Sequence, residues 1–509
     1  MSAVERRTVA APDLADAVAA HLDAGLRIAL VAAHEDPGAV RVVYLLTGAG
    51  DRRVELTLAT DRTAPCVPSL ARVSFPAGRF EREMRDLYGV VPTGHPLPHR
   101  LVRHSHWPQG WYPMRADAGP PPPFEPEGAY PFLRVEGPGV YEIPVGPVHA
   151  GMIGPGHFRF SVVGESILKL KARLWFTHKG LAKLAEGRTP ADALELAERI
   201  SGDTTVGHAT AFCAAVEDAL GVEVPEPARA ARALLLELER LHNHVADLGA
   251  LCLDVGYGVL DVHAKRVREE LLRLNARVTG HRLLRGGVVL GGSALTDLPT
   301  EAELTRVADD VAEIVAAALR QSVVVDRFTG TAVLEPSSAQ EIGVLGYVGR
   351  ASGVDVDARR DHPMHPATAD VASAVRTDGD VLARFGVRAD EVRESIRLVR
   401  TLLPLVRLGR VVAPLPAPGT PRAAGPGRAT AVSDGGGRLR AGTGLVEGWR
   451  GTIAHRVELG LDGRLARFAP VDPSFFTWPA LPVALSRTIV ADFPVTNKSF
   501  NLSYAGNDL

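Results

Sequence analysis

Cysteine is nearly missing from this chain, with three thiols, Cys66, Cys213 and Cys252, in 509 residues. No two of them form a Cys-x-x-Cys pair, so there is no disulfide framework and no four-thiolate nickel or iron–sulfur site within the chain. Also lacking is any apolar run near the ~20 residues that cross a bilayer. The start, MSAVERRTVAAPDLADAV, mixes charges into its apolar residues where a secretory signal needs an unbroken hydrophobic segment. These absences predict a cytoplasmic chain that meets a membrane only through partners. An excess of one charge is missing too. Lys plus Arg total 57 and Asp plus Glu 59, a formal net charge of −2, which argues against nucleic acid as a partner.

What is present is ordinary globular composition, 46% hydrophobic and 23% charged, in a length that suggests two to four domains at roughly 150 residues each. Residues 1–115 read as a small α+β unit. Asp13 to Ala24 has helical spacing, and Leu26–Ala33, Val40–Thr47 and Val54–Ala59 read as strands. Phe80, Met84 and Leu87 then share one face of a short helix. Residues 116–128, with Pro120–Pro123, cannot hold a helix and read as a stiff linker. Strand-like pieces alternate with turns from Tyr130 to Leu168. Residues 169–408 are dominated by helical patterns, strongest at Ala228–Cys252, where Leu234, Leu238, Leu241, Val245 and Leu248 fall at steps of four and three. Leu260–Leu274, Thr300–Arg320 and Ala389–Leu408 repeat the pattern. Residues 411–444 read as loop or a weak strand pair, and Gly448–Leu509 as strand-like and irregular. The fold class is therefore α+β, a small α+β front domain (1–115) followed, after the linker, by a large mainly helical domain (129–509) with small antiparallel sheets.

Two short stretches stand out. RISGDTTVGH (Arg199–His208) is a Gly/Ser/Thr-rich break between helical patterns, with Asp203, Thr204 and Thr205 all suited to capping a helix. NLSYAGNDL (Asn501–Leu509) ends the chain. With THKGLAKLAEGRT (Thr177–Thr189), ELERLHNHVADLGAL (Glu237–Leu251), RASGVDVDARRDHP (Arg350–Pro363) and DPSFFTWPAL (Asp472–Leu481), in this order, they resemble the large subunit shared by membrane-bound, energy-converting nickel–iron hydrogenases and the D-type subunit of NADH:quinone oxidoreductase (complex I). FEREMRDLYGV (Phe80–Val90), followed by GHP, resembles the C-type subunit of the same complex. The whole chain thus looks like a C–D fusion.

Departures from that pattern matter as much as the matches. In hydrogenases of this family two Cys-x-x-Cys pairs hold nickel and iron. Their positions fall here on Ser201 and Thr204, and on Ser503 and Gly506. Neutral hydroxyls do not replace thiolates on a soft metal. The glutamate that relays protons in the family falls on Ala182, and the chain stops at Leu509 with none of the removable tail of many hydrogenase subunits. The resemblance therefore implies a chain with no metal of its own. In complex I the emptied cavity receives the quinone head, hydrogen-bonded by a tyrosine and a histidine. The tyrosine falls on Gly202, while His149, or alternatively His157, answers the histidine. An unmatched buried carbonyl would cost about 1–3 kcal/mol, so Ser201, Thr204, His208 and Tyr504 are candidate replacement donors. The implied quinone pocket comprises His149, His178, Ser201, Gly202, Thr204, His208, Ser503, Tyr504 and Gly506, and Lys179 shares the motif of His178.

Other groups have plainer readings. His242 and His244, two apart on a helix, point to nearly opposite sides and cannot share a metal. Asp361, His362 and His365 are interrupted by Pro363 and read as structural. SDGGG (Ser433–Gly437) has neither P-loop nor dinucleotide-fold spacing, so no nucleotide site belongs to this chain. The charge run Arg79, Glu81, Arg82, Glu83, Arg85, Asp86 reads as a solvated helix face with i,i+3 and i,i+4 pairs, or alternatively as a docking surface for the large domain or a neighbouring subunit. In the resembled family the arginine matching Arg350 lies near an iron–sulfur cluster of the adjacent small subunit, where a cation would raise the cluster's potential.

The expectation is a peripheral subunit of a membrane-associated oxidoreductase complex, on the cytoplasmic side of the inner membrane. Iron–sulfur cluster and NADH would sit on partner subunits, quinone would be its one possible ligand, and membrane subunits would translocate ions. A redox-silent scaffold for an ion-translocating module is the alternative.

Overall fold

A computed structural model of the chain describes residues 4–126, 128, 130–150, 153–419, the backbone of 431–432, 439–486 and 488–509. The Gly-rich stretch 433–437 lies outside the described residues.

The front unit is a four-stranded sheet in spatial order Glu5–Thr8, Arg52–Asp61, Ala39–Gly48, Arg27–Asp36. The last three form an antiparallel meander, as the apolar runs predict. The first is a short strand added parallel to Arg52–Asp61, too brief and charged to show in the sequence pattern. Its helix, Phe75–Tyr88, buries Phe80 and Met84 and ends on Gly89, whose φ of 77° is the left-handed stop that glycine adopts without strain. This helix is not a solvated face. Glu81 and Asp86 are buried, Glu81 accepting from Ser69 Oγ (2.6 Å) and Asp86 from the amides of Leu101, Val102 and Arg103. Arg79 lies 4.7 Å over the Phe475 ring and bonds Asn507 Oδ1. The inner charges are spent on loops and on docking, because the helix is clamped between the front sheet and the C-terminal helices.

The front sheet is also joined to the strand Gly451–Leu459 by buried ion pairs, Arg41 to Glu458 (2.8 Å) and Arg456 to Glu55 (2.9 Å). Such pairs contribute little net stability, but removing one member costs several kcal/mol, on the order of 3–5, so they fix how the two sheets meet. The Pro-rich stretch after residue 115 folds back onto the front unit, with Phe124 edge-on to His106 and the Glu125 amide on the His106 carbonyl.

In the large part, the helix Glu226–Asp254 is central, packed by Gly258–Thr279 and Val381–Leu402. Gly249 lets the first two approach, since a Cβ there would lie 2.5 Å from Ala264 Cβ. The helix expected over Ala389–Leu408 begins earlier, at the Asp380 cap, and yields to a 3-10 turn at Leu403–Leu405 because Pro404 cannot continue it. The strands Leu439–Gly448, Gly451–Leu459 and Leu465–Val471 form an antiparallel sheet. Beyond Val471 the expected strands are absent among the described residues. Short helices, Pro473–Thr477, Ala480–Ala484, Phe493–Phe500 and Tyr504–Asp508, occupy that stretch, most of them opened by a proline or a capping Asp or Ser. The helix Thr205–Leu220 lies almost on the backbone of Leu439–Gly448. Any side chain at Gly442 or Gly444 would collide with the carbonyls of Ala215 or Ala211. That close contact sets the position of the turn just before the helix. No described helix is long and apolar enough to cross a membrane.

Candidate functional site

The turns 201–204 and 503–506, about 300 residues apart in the chain, meet. Ser201 Oγ and Ser503 Oγ are 2.8 Å apart. The hydrogens run in one direction: the Gly506 amide donates to Ser503 Oγ (2.8 Å), Ser503 to Ser201, and Ser201 to Asp203 Oδ1 (2.8 Å). Asp203 also accepts from Thr204 Oγ1 (3.0 Å) and, at both oxygens, from Arg450 (2.7 and 2.8 Å). Partial burial pushes the Asp203 carboxyl pKa up, but the Arg450 guanidinium and the two hydroxyls outweigh it and hold the group well below the usual carboxylate range. Arg450 lies 3.8 Å over the Trp449 ring, and Trp449 Nε1 donates to Thr204 Oγ1 (3.1 Å).

The residues flanking this junction come from both ends of the large part. Lys179 Nζ donates to the Ile200 carbonyl (3.1 Å) and approaches that of Ala505 (3.5 Å), bridging the two turns. His178 Nδ1 bonds the Asp508 carbonyl (2.6 Å). The Tyr504 ring lies under the 154–156 loop, where a Cβ at Gly154 or Gly156 would approach it to 2.8 or 2.7 Å. His149 Nε2 bonds the Gly156 carbonyl of its own loop (2.8 Å), and His157 Nδ1 bonds that of Gly146. Gly202 is exposed, and a Cβ there would have no heavy atom within 4 Å. His208 does not line the junction. It is fully buried behind the turn, with Nε2 on Asp472 Oδ2 and Nδ1 on His455 Nε2, both 3.0 Å, and presents nothing to a ligand over the turns.

The donor set does not fit a nickel–iron centre. Its two facing hydroxyls are consumed by each other and by Asp203, and Thr204 serves Trp449 and Asp203. A Cβ at Gly506 would sit 2.5 Å from the Asp472 carboxyl carbon, so that carboxylate fills the place of a fourth ligand's side chain. Among the described residues no three His, Cys, Asp or Glu side chains converge as a metal-binding group.

Arg350 is fully buried in a charge network. It bonds Glu391 (2.7 Å) and Glu447 (2.9 Å), with Asp357 at 3.6 Å. Its charge is thus offset inside the chain, which shortens its electrostatic reach. His244 bonds Glu391 (2.7 Å) within the helical core, and His362 bonds Asp51 (2.9 Å), both structural as expected. Ala182 faces an apolar cleft of about 70 Å3 shared with Glu83, whose pKa burial pushes up to about 7, and with Leu509. A roomier cavity, about 390 Å3, lies between the front unit and Gly343 and Phe476. It is lined by none of the residues at the junction.

The sequence pointed to both turns but missed Arg450, Trp449, Asp472 as a carboxylate and His455. Arg450 had one visible signal, a cation in the short turn between two strongly apolar strands.

A helical core flanked by small antiparallel sheets, with two turns converging where thiolates would sit, defines the class: a large subunit of the nickel–iron hydrogenase and complex I type, altered at its ligand positions. Residues 254–508 match the family described as respiratory-chain NADH dehydrogenase, 49 Kd subunit, residues 7–122 its 30 Kd subunit, and residues 179–253 nickel-dependent hydrogenase. The chain belongs to the fused C/D family of complex I subunits and their hydrogenase relatives. It is 31% identical to formate hydrogenlyase subunit 5 of Escherichia coli over 89% of this chain and 79% of that one. It is 29% identical to the fused C/D polypeptide of NADH-quinone oxidoreductase from Bacteroides thetaiotaomicron over 71% and 73%. A chain of the archaeal membrane-bound sulfane sulfur reductase shares the fold, with a TM-score of 0.62, 24% identity, and coverage of 73% of this chain and 98% of that chain. Both curated relatives are named as subunits, and this chain is an oxidoreductase-complex subunit of the same family.

Proposed function

We propose that this chain is the metal-free coupling subunit of its complex. It seats a small iron–sulfur subunit, receives a quinone head group over the Ser201–Ser503 junction, and passes the resulting change to ion-translocating membrane subunits on the cytoplasmic side of the membrane. NADH and the cluster belong to partners. The observation that carries the reading is the open space at Gly202, directly beside two turns that Lys179 ties together. Lys179 Nζ offers a donor to a quinone carbonyl, and the imidazole of His178, its pKa lowered by burial, offers an acceptor to a quinol hydroxyl. One observation favours the second reading, a redox-silent scaffold: the hydrogen-bond chain from Gly506 to Asp203 is closed and leaves its serines no free hydrogen.

Purification of the complex from native membranes, followed by photolabelling with a quinone analogue, tests the choice. The coupling reading expects iron–sulfur subunits, quinone-dependent turnover and label within residues 146–208. Antiporter-like partners without a cluster, and no label there, establish the scaffold.

A further inference from the structure

The cavity of about 390 Å3 at the seam between the front unit and the large part has room for a small molecule, since ligand pockets run from roughly 300 to 1,000 Å3. Two guanidinium groups line it, Arg27 at the start of the strand Arg27–Asp36 and Arg72 in the loop before the helix Phe75–Tyr88. Among the described residues neither makes a hydrogen bond or an ion pair. Arg27 is unlike a surface arginine. Protein encloses it and burial lowers its pKa, opposed by the charges of Glu447 and Asp361, neither of which comes within ion-pair distance. It keeps accessible area all the same, because the cavity reaches it. Other buried arginines of the chain have carboxylates of their own, Arg41 on Glu458, Arg232 on Glu217 and Arg456 on Glu55. Arg27 faces a hollow instead.

The rest of the lining is of two kinds. Ser74, the N-cap of the helix Phe75–Tyr88, accepts from no first-turn amide, and no acidic residue stands in that turn. The positive end of the helix dipole is therefore unanswered where the chain enters the cavity wall. Gln340, on the helix Pro336–Ile342, adds a side-chain amide. One exposed carboxylate, Glu341, also lines the cavity, and two arginines against it leave the lining positive. Leu22, Leu26, Ile28 and Phe476 supply apolar surface. An inorganic ion would leave that surface facing water, so the lining fits an anion with an apolar body. The three terminal oxygens of a phosphate ester can take both guanidinium forks and the Ser74 hydroxyl together, more than the two of a carboxylate.

We propose that this cavity binds an organic phosphate, its phosphate held by Arg27 and Arg72 and its apolar body set against Leu26, Ile28 and Phe476. The proposal is independent of the quinone reading. Arg27 and Arg72 belong to the front unit, Gln340 and Phe476 to the large part, so the ligand ties the two together and stabilises the folded chain by mass action. A soluble phosphate ester and a phosphatidic acid headgroup present the same chemistry.

Thermal unfolding and 31P spectra of the full-length chain, with phenyl phosphate as probe, test the site. Phenyl phosphate should raise Tm in a saturable way and broaden its own 31P line. Inorganic phosphate should bind about tenfold more weakly for want of the apolar contact, and phenol should do nothing. Arg27→Met should abolish the gain and, by removing an unpaired enclosed charge, leave the ligand-free chain at least as stable in urea as the parent. Arg72→Met, at an exposed position, should fold normally and bind phenyl phosphate about tenfold more weakly. A short-chain phosphatidic acid below its micelle concentration separates the sources. Tighter binding than phenyl phosphate upholds the site as a lipid site, and weaker binding upholds it as one for a soluble ester. The proposal is overturned by an unmoved Tm and 31P line, by the same response in parent and Arg27→Met, or by equal affinity for inorganic phosphate. Loss of phenyl phosphate binding in the purified complex also overturns it, because the cavity is then the seat of a partner's acidic side chain.

Discussion

The close approach of Asp472 to Gly506 makes the sharpest prediction. Gly506→Ala places a methyl 2.5 Å from the Asp472 carboxyl carbon and oxygen, roughly an ångström inside ordinary contact. Asp472 cannot yield freely. It is 1% exposed and held by His208 (3.0 Å) and the Ser474 amide (2.7 Å). Overpacking of this kind costs about 1–3 kcal/mol. If the carboxylate instead swings away, it surrenders a charge-assisted bond to a buried imidazole, about 1.5–3 kcal/mol. Either route predicts about 1–3 kcal/mol, read as a lower urea midpoint at unchanged slope. Trp478, whose indole donates to the Ser503 carbonyl, reports the same turn by fluorescence. Asp472→Ala alone should also destabilise, but the double variant should lose less than the sum, with a coupling of about 1–3 kcal/mol, because truncating Asp472 makes room for the methyl. Additive losses, or a Gly506→Ala chain within about 0.5 kcal/mol of the parent, would refute the claim that this carboxylate fills the fourth-ligand position.

Gly202→Tyr meets no atom near its Cβ, so it should change stability by less than about 0.5 kcal/mol; under the quinone reading it should lower KM for quinone in the complex, and an unchanged KM counts against that reading. Asp203→Ala leaves Arg450, 4% exposed, without its carboxylate and should cost about 2–4 kcal/mol in urea unfolding, below the usual figure for a buried pair because Asp203 itself is 39% exposed. Adding Arg450→Met should recover part of that loss. Burial, with the Arg268 charge, pushes the pKa of His242 down to about 4. The unfolded chain therefore binds this proton first, so the contribution is fully present above about pH 6.5 and is lost as pH falls toward 4, about 3 kcal/mol over that window. His242→Leu should flatten the acid limb of the stability profile, and an unchanged limb contradicts the assignment.

Local pattern carried much of this protein into view. The Leu-Val spacing of 234–248 sufficed for the central helix, and the apolar runs after Leu26 for the front meander, because burial of one face imposes a period that the sequence must show. The first turn was visible as a Gly/Ser/Thr break, and the second only through the family resemblance. The helix-rich tail after Val471 was not, since five-residue helices show no period and depend on caps and tertiary contacts. Nor could the charge run at Arg79–Asp86 be assigned to a buried clamp, because a salt-bridged surface helix and a docked one share the same spacing.

By itself the sequence determined the thiol count, since donor chemistry belongs to residue type alone. Only the tertiary structure decided what joins the two turns: an Arg450–Asp203 ion pair, a serine-to-serine bond and a carboxylate beside Gly506, drawn from segments up to about 300 residues apart. Partners at that separation leave no spacing to read, because chain folding rather than local geometry brings them within hydrogen-bond reach.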